Sequence, residues 1–302
     1  MRFNVFLMIG VAFILFCHSC NTCNRRHTVE DVTIDWADLV MDSTYVNIAR
    51  KVFYALPTPI EMTLLIKNSG IPWRPVLLND PVNASKYLSS QKMALNFGVY
   101  TTNLTYSGLF EQSQMVLRYK LAISQLIEGL GLQSAINTNT MQLIEQNIND
   151  KDMILRIIAD TYASCAAFLD EGDRYYLVLA ILAGGWVESM YIATNTLNEN
   201  LLANEEMINQ LVIDQLFTFD IMWKVMSDFK DLPGVDELIS SFSGLAQLFD
   251  KIGVHQTPNV VTSEDNADVS VIASNSAIDI TPKDFENIRI QIQILRDNFI
   301  QI

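Results

Sequence analysis

Residues 181–190 read ILAGGWVESM: two adjacent glycines and a tryptophan inside an apolar run, closed by a carboxylate. The run starts at Tyr175 and stays apolar to Val187 (YYLVLAILAGGWV). A helix that is apolar on every side belongs in a protein core or a membrane. Between Arg174 and Glu188 there are thirteen residues, short of the roughly 20 that a membrane span takes. The spacing therefore predicts a buried central helix. Glycine in a helix interior costs about 1 kcal/mol relative to alanine, so two in succession need a compensating gain. Gly184 and Gly185, preceded by Ala183, predict a point where another helix backbone comes close, with Trp186 filling the space beside the crossing.

Outward from this run, helical periodicity dominates from 43 to 252 and long alternating strands are absent, which makes the fold class all-α. The pattern predicts helices over 43–56, 59–69, 84–107, 110–129, 138–149, 151–170, 173–197, 203–230, 235–252 and 282–300. Short connections between them predict a single domain over 43–302, a multi-helix bundle or stacked helical hairpins of about ten helices. No period of a regular solenoid is present. Two helix starts are explicit: TPIE (58–61) and TPKD (281–284) each offer a threonine N-cap, a proline at the first helical position and an acid at the third. Gly70, with Pro72 beyond it, ends the helix that TPIE begins. GLG at 129–131 reads as a helix end and not a phosphate cradle. Residues 254–280 break the pattern as a polar loop. Beyond them Phe285, Ile288, Ile292, Leu295 and Phe299 form a stripe that needs an apolar partner.

The amino end reads as a targeting device. Arg2 and the apolar stretch 5–16 (VFLMIGVAFILF) have the make-up of a signal peptide over 1–19. Ser19 before Cys20 is the small residue that bacterial lipoprotein processing needs, although Phe16, Cys17 and His18 depart from the usual lipobox. Cys20 is the expected lipidation site, with Cys17 and Cys23 as alternatives, and 20–42 then reads as a lipidated N-terminus and tether. The expected location is the cell envelope, lipid-anchored, the periplasmic side favoured over the cell surface because NTCNRRHT after Cys20 is not an acidic export run.

Composition narrows the function. Half the residues are hydrophobic, 20 basic side chains face 34 acidic ones, and the net charge is −14. Such a surface repels phosphate backbones, which argues against a nucleic-acid partner. His27 and His255 lack a ligand set, so no metal site is expected. No G-x-S-x-G or P-loop is present, and no cofactor or catalytic residue is assigned. Cys165, in YASCAAF, reads as an inert buried thiol. Glu188 stands out because it has neither Lys nor Arg at helical spacing. An acid after an apolar segment reaches solvent, meets a distant cation or hydroxyl, or lines a pocket, and a solvated helix edge is the commoner outcome. Tyr191 and Asn195 share its face. A second polar stripe, Tyr100, Asn103 and Ser107 with Tyr106 nearby, reads as a buried network or a ligand pocket, the network favoured.

The segments FYALPTPIEMTLLIKNSG (53–70), KYLSSQKMALNFGVYTTNLTY (86–106) and LAGGWVESMYIA (182–193) together resemble a family of uncharacterised exported helical proteins, many with lipoprotein signals, from Gram-negative gut-type bacteria. The similarity covers residues 45–250. The resemblance implies an all-helical fold and an exported location and brings no activity with it. Where relatives carry aspartate in a G-x-Y-x-x-D-x-x-Y pattern, this chain keeps Gly98, Tyr100 and Tyr106 but has Asn103. A hydrogen-bonding role survives that exchange better than an essential acid would.

The expectation is a membrane-tethered ligand-binding or scaffold module that meets a small molecule or an envelope protein. Tyr100, Asn103, Tyr106, Trp186, Glu188 and Tyr191 are the candidate ligand-binding residues. The alternative is a cofactor-free hydrolase or lyase acting on cell-envelope or carbohydrate material, with Glu188 as acid or base.

Overall fold

The computed structural model describes residues 66–68, 70–136, 140–147, 150, 174–198, 205–252 and 280–302, with single helical positions between 153 and 169. All of these belong to the compact unit Ala37–Ile302, and the other unit, Met1–Trp36, lies outside them. The expected signal peptide over 1–19, the expected lipidation site Cys20 with its tether, the expected helix start at TPIE and the expected polar loop up to 279 therefore fall outside the described residues.

The described chain is all-α, with no strand among the described residues. Two short 3-10 turns, Pro75–Leu77 and Pro81–Lys86, precede the long helices. The helices are α1 (Ser90–Leu109), α2 (Ser113–Gly129), α3 (Thr140–Gln146), α4 (Tyr175–Asn198), α5 (Glu205–Asp228), α6 (Val235–Ile252) and α7 (Pro282–Ile300). Eight of the ten spans read from periodicity overlap these helices or the helical positions at 153–169, and a ninth, 59–69, contains the helical positions 66–68.

The largest departure is at α1. Helical periodicity puts its start at 84, whereas the α-helix begins at Ser90. The cause is local chemistry. Asp80 accepts from Val82 N and Pro81 sits in the first turn, which caps a 3-10 turn over 81–86. Ser89 then accepts from Lys92 N and starts the α-helix afresh. At the other end of the chain TPKD forms a full capping box: Thr281 accepts from Asp284 N while the Asp284 carboxylate accepts from Thr281 N. Gly131 takes a positive φ of 67° just past α2, where Leu132 N donates to Ile127 O and Gly131 N to Glu128 O. That pattern closes a helix in a left-handed residue, which glycine adopts without a Cβ penalty.

α4 is the core helix. It is long and apolar enough to cross a membrane, yet its apolar window is entirely buried inside the protein. α1 is its principal neighbour and is itself buried on all sides from Ala94 to Leu109, with α7, α6 and α5 covering the rest of α4. The two buried helices meet at glycine. A Cβ on Gly184 would stand 2.0 Å from Leu95 O, and a Cβ on Gly98 would stand 2.1 Å from Ile181 O and 2.5 Å from Gly185 N. Thr102 Oγ1 donates to Gly185 O at 3.1 Å across the same crossing. The glycines trade helix propensity for backbone contact. Several buried hydroxyls are satisfied locally: Thr101 donates to Phe97 O and Thr105 to Thr101 O on α1, and Ser189 to Gly185 O on α4.

Candidate functional site

One turn beyond the crossing, α4 turns Glu188 toward α1 and α7. The carboxylate is fully buried, so the solvated-edge reading of Glu188 is corrected: it meets a cation 108 residues away. Arg296 Nε donates to Oε2 at 3.0 Å and its Nη2 lies 3.5 Å from Oε1. The same Nη2 donates to Leu77 O at 3.0 Å, which ties the guanidinium to the first 3-10 turn. Tyr191, one turn along α4, lies under the guanidinium with its ring centroid 4.4 Å from Cζ.

Burial is the strongest influence on Glu188 and pushes its pKa above the ordinary glutamate value. Arg296 opposes this by charge and hydrogen bonding, Asn103 opposes it too, and Asp297 adds to the push. Burial works to lower the Arg296 pKa, and the Glu188 charge and hydrogen bond outweigh it, so Arg296 is held above its usual value. Removing the cation would leave a fully buried carboxylate without compensation.

Beside the ion pair lies a second layer built by the segment before α1. Asn79 Nδ2 donates to Tyr87 Oη at 3.0 Å and to Asn96 Oδ1 at 3.3 Å. Tyr119 donates to Asn79 O and Tyr100 to Asp80 O, each at 2.9 Å. The rings of Tyr87, Tyr100 and Tyr119 stand in succession, 6.4 and 5.8 Å between centroids. Burial raises the pKa of all three phenols, and the Glu188 charge contributes for Tyr87 and Tyr119, which sets these rings close to the ion pair.

The end of α7 closes the cluster. Lys92 Nζ donates to Asn298 O (2.6 Å) and Gln301 O (3.0 Å), Asn96 Nδ2 to Phe299 O (2.9 Å) and Tyr87 Oη to Ile300 O (3.1 Å). A helix leaves its last carbonyls unpaired. Here side chains from residues 87–96 take all four from 298 to 301.

The six sequence candidates thus divide. Glu188, Asn103 and Tyr191 come together around Arg296, and Tyr100 joins them through the tyrosine row. Tyr106 is fully buried one turn further along α1, accepting from Arg74 N at 3.1 Å and packing on Phe110. Trp186 does not join them. Its Nε1 donates to Gln215 Oε1 at 2.8 Å and its ring packs on Phe219 and Phe242, on the side of α4 that faces α5 and α6. Gly184 and Gly185 lie at the helix crossing. Asn195 leaves the cluster to accept from Arg289 Nη1 at 3.0 Å. Burial pushes the Cys165 thiol up to about 12, the state of an inert thiol.

Sequence reasoning missed Arg296, Asn79, Tyr87, Asn96 and Tyr119. For Arg296 a signal existed: it lies four positions after Ile292 and three before Phe299, within the apolar stripe of its helix, where a cation needs a buried partner. Among the described residues, no three of His, Cys, Asp and Glu converge as a metal site. The arrangement is closed, balanced in charge and rich in directional bonds, which suits holding helices in register. No family model, curated protein or solved structure matches the chain.

Proposed function

We propose that this chain is an exported lipoprotein, anchored through Cys20 on the periplasmic side of the cell envelope, whose helical body is a scaffold module and not a catalyst. The observation that carries the second half is the enclosure of Glu188. A general acid or base must come within hydrogen-bond reach of a substrate proton, and Glu188 is 0% exposed with Arg296 seated on its carboxylate. Among the candidates for a ligand pocket, Glu188 is taken up by Arg296, Tyr100 and Tyr106 bond to the backbone, and Trp186 faces away from them. This favours contact with an envelope protein through the outer surface over enclosure of a small molecule. The anchor rests on the signal-like residues 1–19 and the Ser19–Cys20 pair.

Expression of the full chain in a Gram-negative host with labelled palmitate tests the anchor. Label and membrane association are expected in the natural sequence and lost in Cys20→Ala. Label that survives this change moves the anchor to Cys17 or Cys23, and an unlabelled natural chain removes it. Protease added to intact cells should leave the protein whole, and digestion would place it on the cell surface. An activity on envelope polysaccharide that Glu188→Gln abolishes at unchanged stability would overturn the scaffold reading in favour of a hydrolase or lyase.

A further inference from the structure

Charge is divided unevenly along this chain. Residues 66–130 hold six Lys and Arg against three Asp and Glu, while residues 131–302 hold nine against 25, so a basic excess is confined to the segment that builds the 3-10 turns, α1 and α2. Such asymmetry points to an anionic partner for the basic part. α2 buries Val116, Tyr119 and Ile123 on its inner side and turns Leu117 and Leu121 outward, 38% and 62% exposed. Four positions apart, the two leucines stand one above the other. Arg118 and Lys120 flank them in sequence, and no acid occurs from 113 to 127. The turn Pro81–Lys86 extends this face. Asp80 Oδ1 accepts from Val82 N at 3.0 Å and lies 3.9 Å from Arg118 Nη2, which sets Val82, 61% exposed, beside the same helix. Asp80 is the one acid at the junction and Arg118 balances it, leaving Lys86 and Lys120 in excess. On α5 and α7 the exposed apolar side chains have acids as helical neighbours instead: Asp214 and Asp220 stand three positions either side of Phe217, Glu286 four before Ile290, and Asp297 three after Ile294.

We propose that this face, Val82 with Leu117 and Leu121 among Lys86, Arg118 and Lys120, seats on a bilayer of anionic phospholipid. The inference rests on the lipid-anchor reading only for what holds the chain at a membrane. Charge complementarity selects the occupant. Each basic side chain close to an anionic lipid surface raises partition roughly fivefold, and the acidic remainder of the chain is repelled by the same surface. The shape of the face agrees. Its apolar side chains project singly from the outside of a helix and a turn, with no groove between them for a partner side chain to enter. A bilayer takes such side chains below its headgroups while the long lysine and arginine stems carry their charges up to the phosphates. A contact of this size is weak by itself and is screened by salt. Its consequence is orientation: an anchored chain lies with α2 toward the lipid and keeps its acidic helices α5 and α6 for the aqueous side.

Amine-reactive labelling of the full chain, read residue by residue by mass spectrometry, tests this in vesicles of phosphatidylcholine with and without phosphatidylglycerol. Lys86 and Lys120 should label several-fold more slowly on the phosphatidylglycerol vesicles and recover in high salt, while the exposed Lys224 of α5 and Lys251 of α6 keep one rate throughout. Equal rates for Lys86 and Lys120 on both vesicles, with the chain anchored, overturn the proposal and leave the anchor standing. Slow labelling without vesicles that deepens with protein concentration means a second copy covers the face, which overturns it too. A chain that does not float with the vesicles removes the anchor reading instead. The unanchored chain is then titrated with the same vesicles, where salt-sensitive binding to phosphatidylglycerol upholds the face and no binding at any lipid concentration sinks it. Leu117→Gln with Leu121→Gln, both at exposed positions, should weaken that binding or the lysine protection about tenfold. Protection unchanged in this double variant would show lysines drawn to the surface as separate charges, and the seated face would fall.

Discussion

The two sides of α4 are built from different chemistry, and they hold the fold in different ways. Toward α5 and α6 the helix presents Trp186 to an aromatic cluster in which Phe219 packs on Trp186, Trp223, Phe242 and Phe249 at centroid distances of 5.0 to 6.1 Å. Its one buried polar contact to Trp186 is the bond to Gln215. Toward α1 and α7 it presents glycine and Glu188 to backbone carbonyls, a guanidinium and a tyrosine row. Apolar packing is non-directional and tolerates volume-conserving exchange. Backbone contact and ion pairing are not tolerant, since each demands one position and one partner. The aromatic side supplies bulk burial, and the polar side decides which turn of α1 and α7 meets which turn of α4.

The largest effect should therefore come from the glycine crossing. Gly184→Ala places a methyl group against the Leu95 carbonyl, where no rotamer can move it away. The gain in helix propensity, about 1 kcal/mol, is small against prising two buried helices apart. A loss of about 4–5 kcal/mol in urea unfolding, or no soluble folded protein, is expected. A small loss would break the comparison, because it would mean that α1 and α4 can slide at no great cost. The alanine Cβ on the aromatic side gives a control, since trimming Phe219 removes packing without forcing backbones apart.

Next comes Arg296→Met, expected to cost about 3–5 kcal/mol at neutral pH by stranding a buried carboxylate. The pH dependence carries a sign. Burial holds the Glu188 pKa above the ordinary glutamate value of 4.5 in the folded protein, so the folded state binds the proton more tightly than the unfolded one. Its contribution to stability is fully present below pH 4.5 and is lost as pH rises through the folded value. Without Arg296 the folded value climbs further, because the cation that opposed burial is gone. The defect of Arg296→Met should thus be smallest in acid and grow toward neutrality, as read from unfolding midpoints across a pH series. A defect that is constant with pH would show that Arg296 acts through its bond to Leu77 O alone. The double variant Glu188→Leu, Arg296→Met should recover most of the loss.

How far these features could be read in the sequence follows the same division. Features set by neighbours in the chain were legible: the helix spans, the TPKD box, the end at Gly131, and the close approach implied by Gly184 and Gly185. The partner in that approach was not. Gly98 is a lone glycine in ALNFGVY, and only the tertiary crossing angle pairs it with Ile181 and Gly185. The start of α1 was misplaced because periodicity cannot see that Asp80 and Pro81 cap a separate turn. Within the site, the face shared by Glu188 and Tyr191 was legible from spacing, while Arg296 was not assigned, because its partner is fixed by docking and not by local pattern.

A smaller effect sharpens the contrast from the aromatic side. Gln215→Leu leaves the Trp186 indole N–H buried without its acceptor and should cost about 1–3 kcal/mol. Trp186→Phe on top of it removes the stranded donor, so the double variant should lose less than the two single losses added. Strict additivity would show that the Trp186–Gln215 bond contributes nothing beyond packing, and the aromatic side would then be apolar in energy as well as in appearance.

The smallest effect concerns how α7 is started and not how it is held. Thr281→Ala removes the side chain that accepts from Asp284 N and leaves the Asp284 carboxylate to its single bond with Thr281 N, for an expected loss of about 1 kcal/mol. The other end of the helix is fixed independently, because Lys92, Asn96 and Tyr87 take the carbonyls of residues 298–301 and Arg296 sits on Glu188. Fraying at residue 281 should therefore stop before Arg296. Hydrogen exchange gives the measurement: amides in the first turn of α7 should lose protection in Thr281→Ala while those from Ile292 onward keep it. Uniform loss along α7 would mean that the helix docks as one unit from its amino end, and the polar side of α4 would then be following the position of α7 instead of setting it.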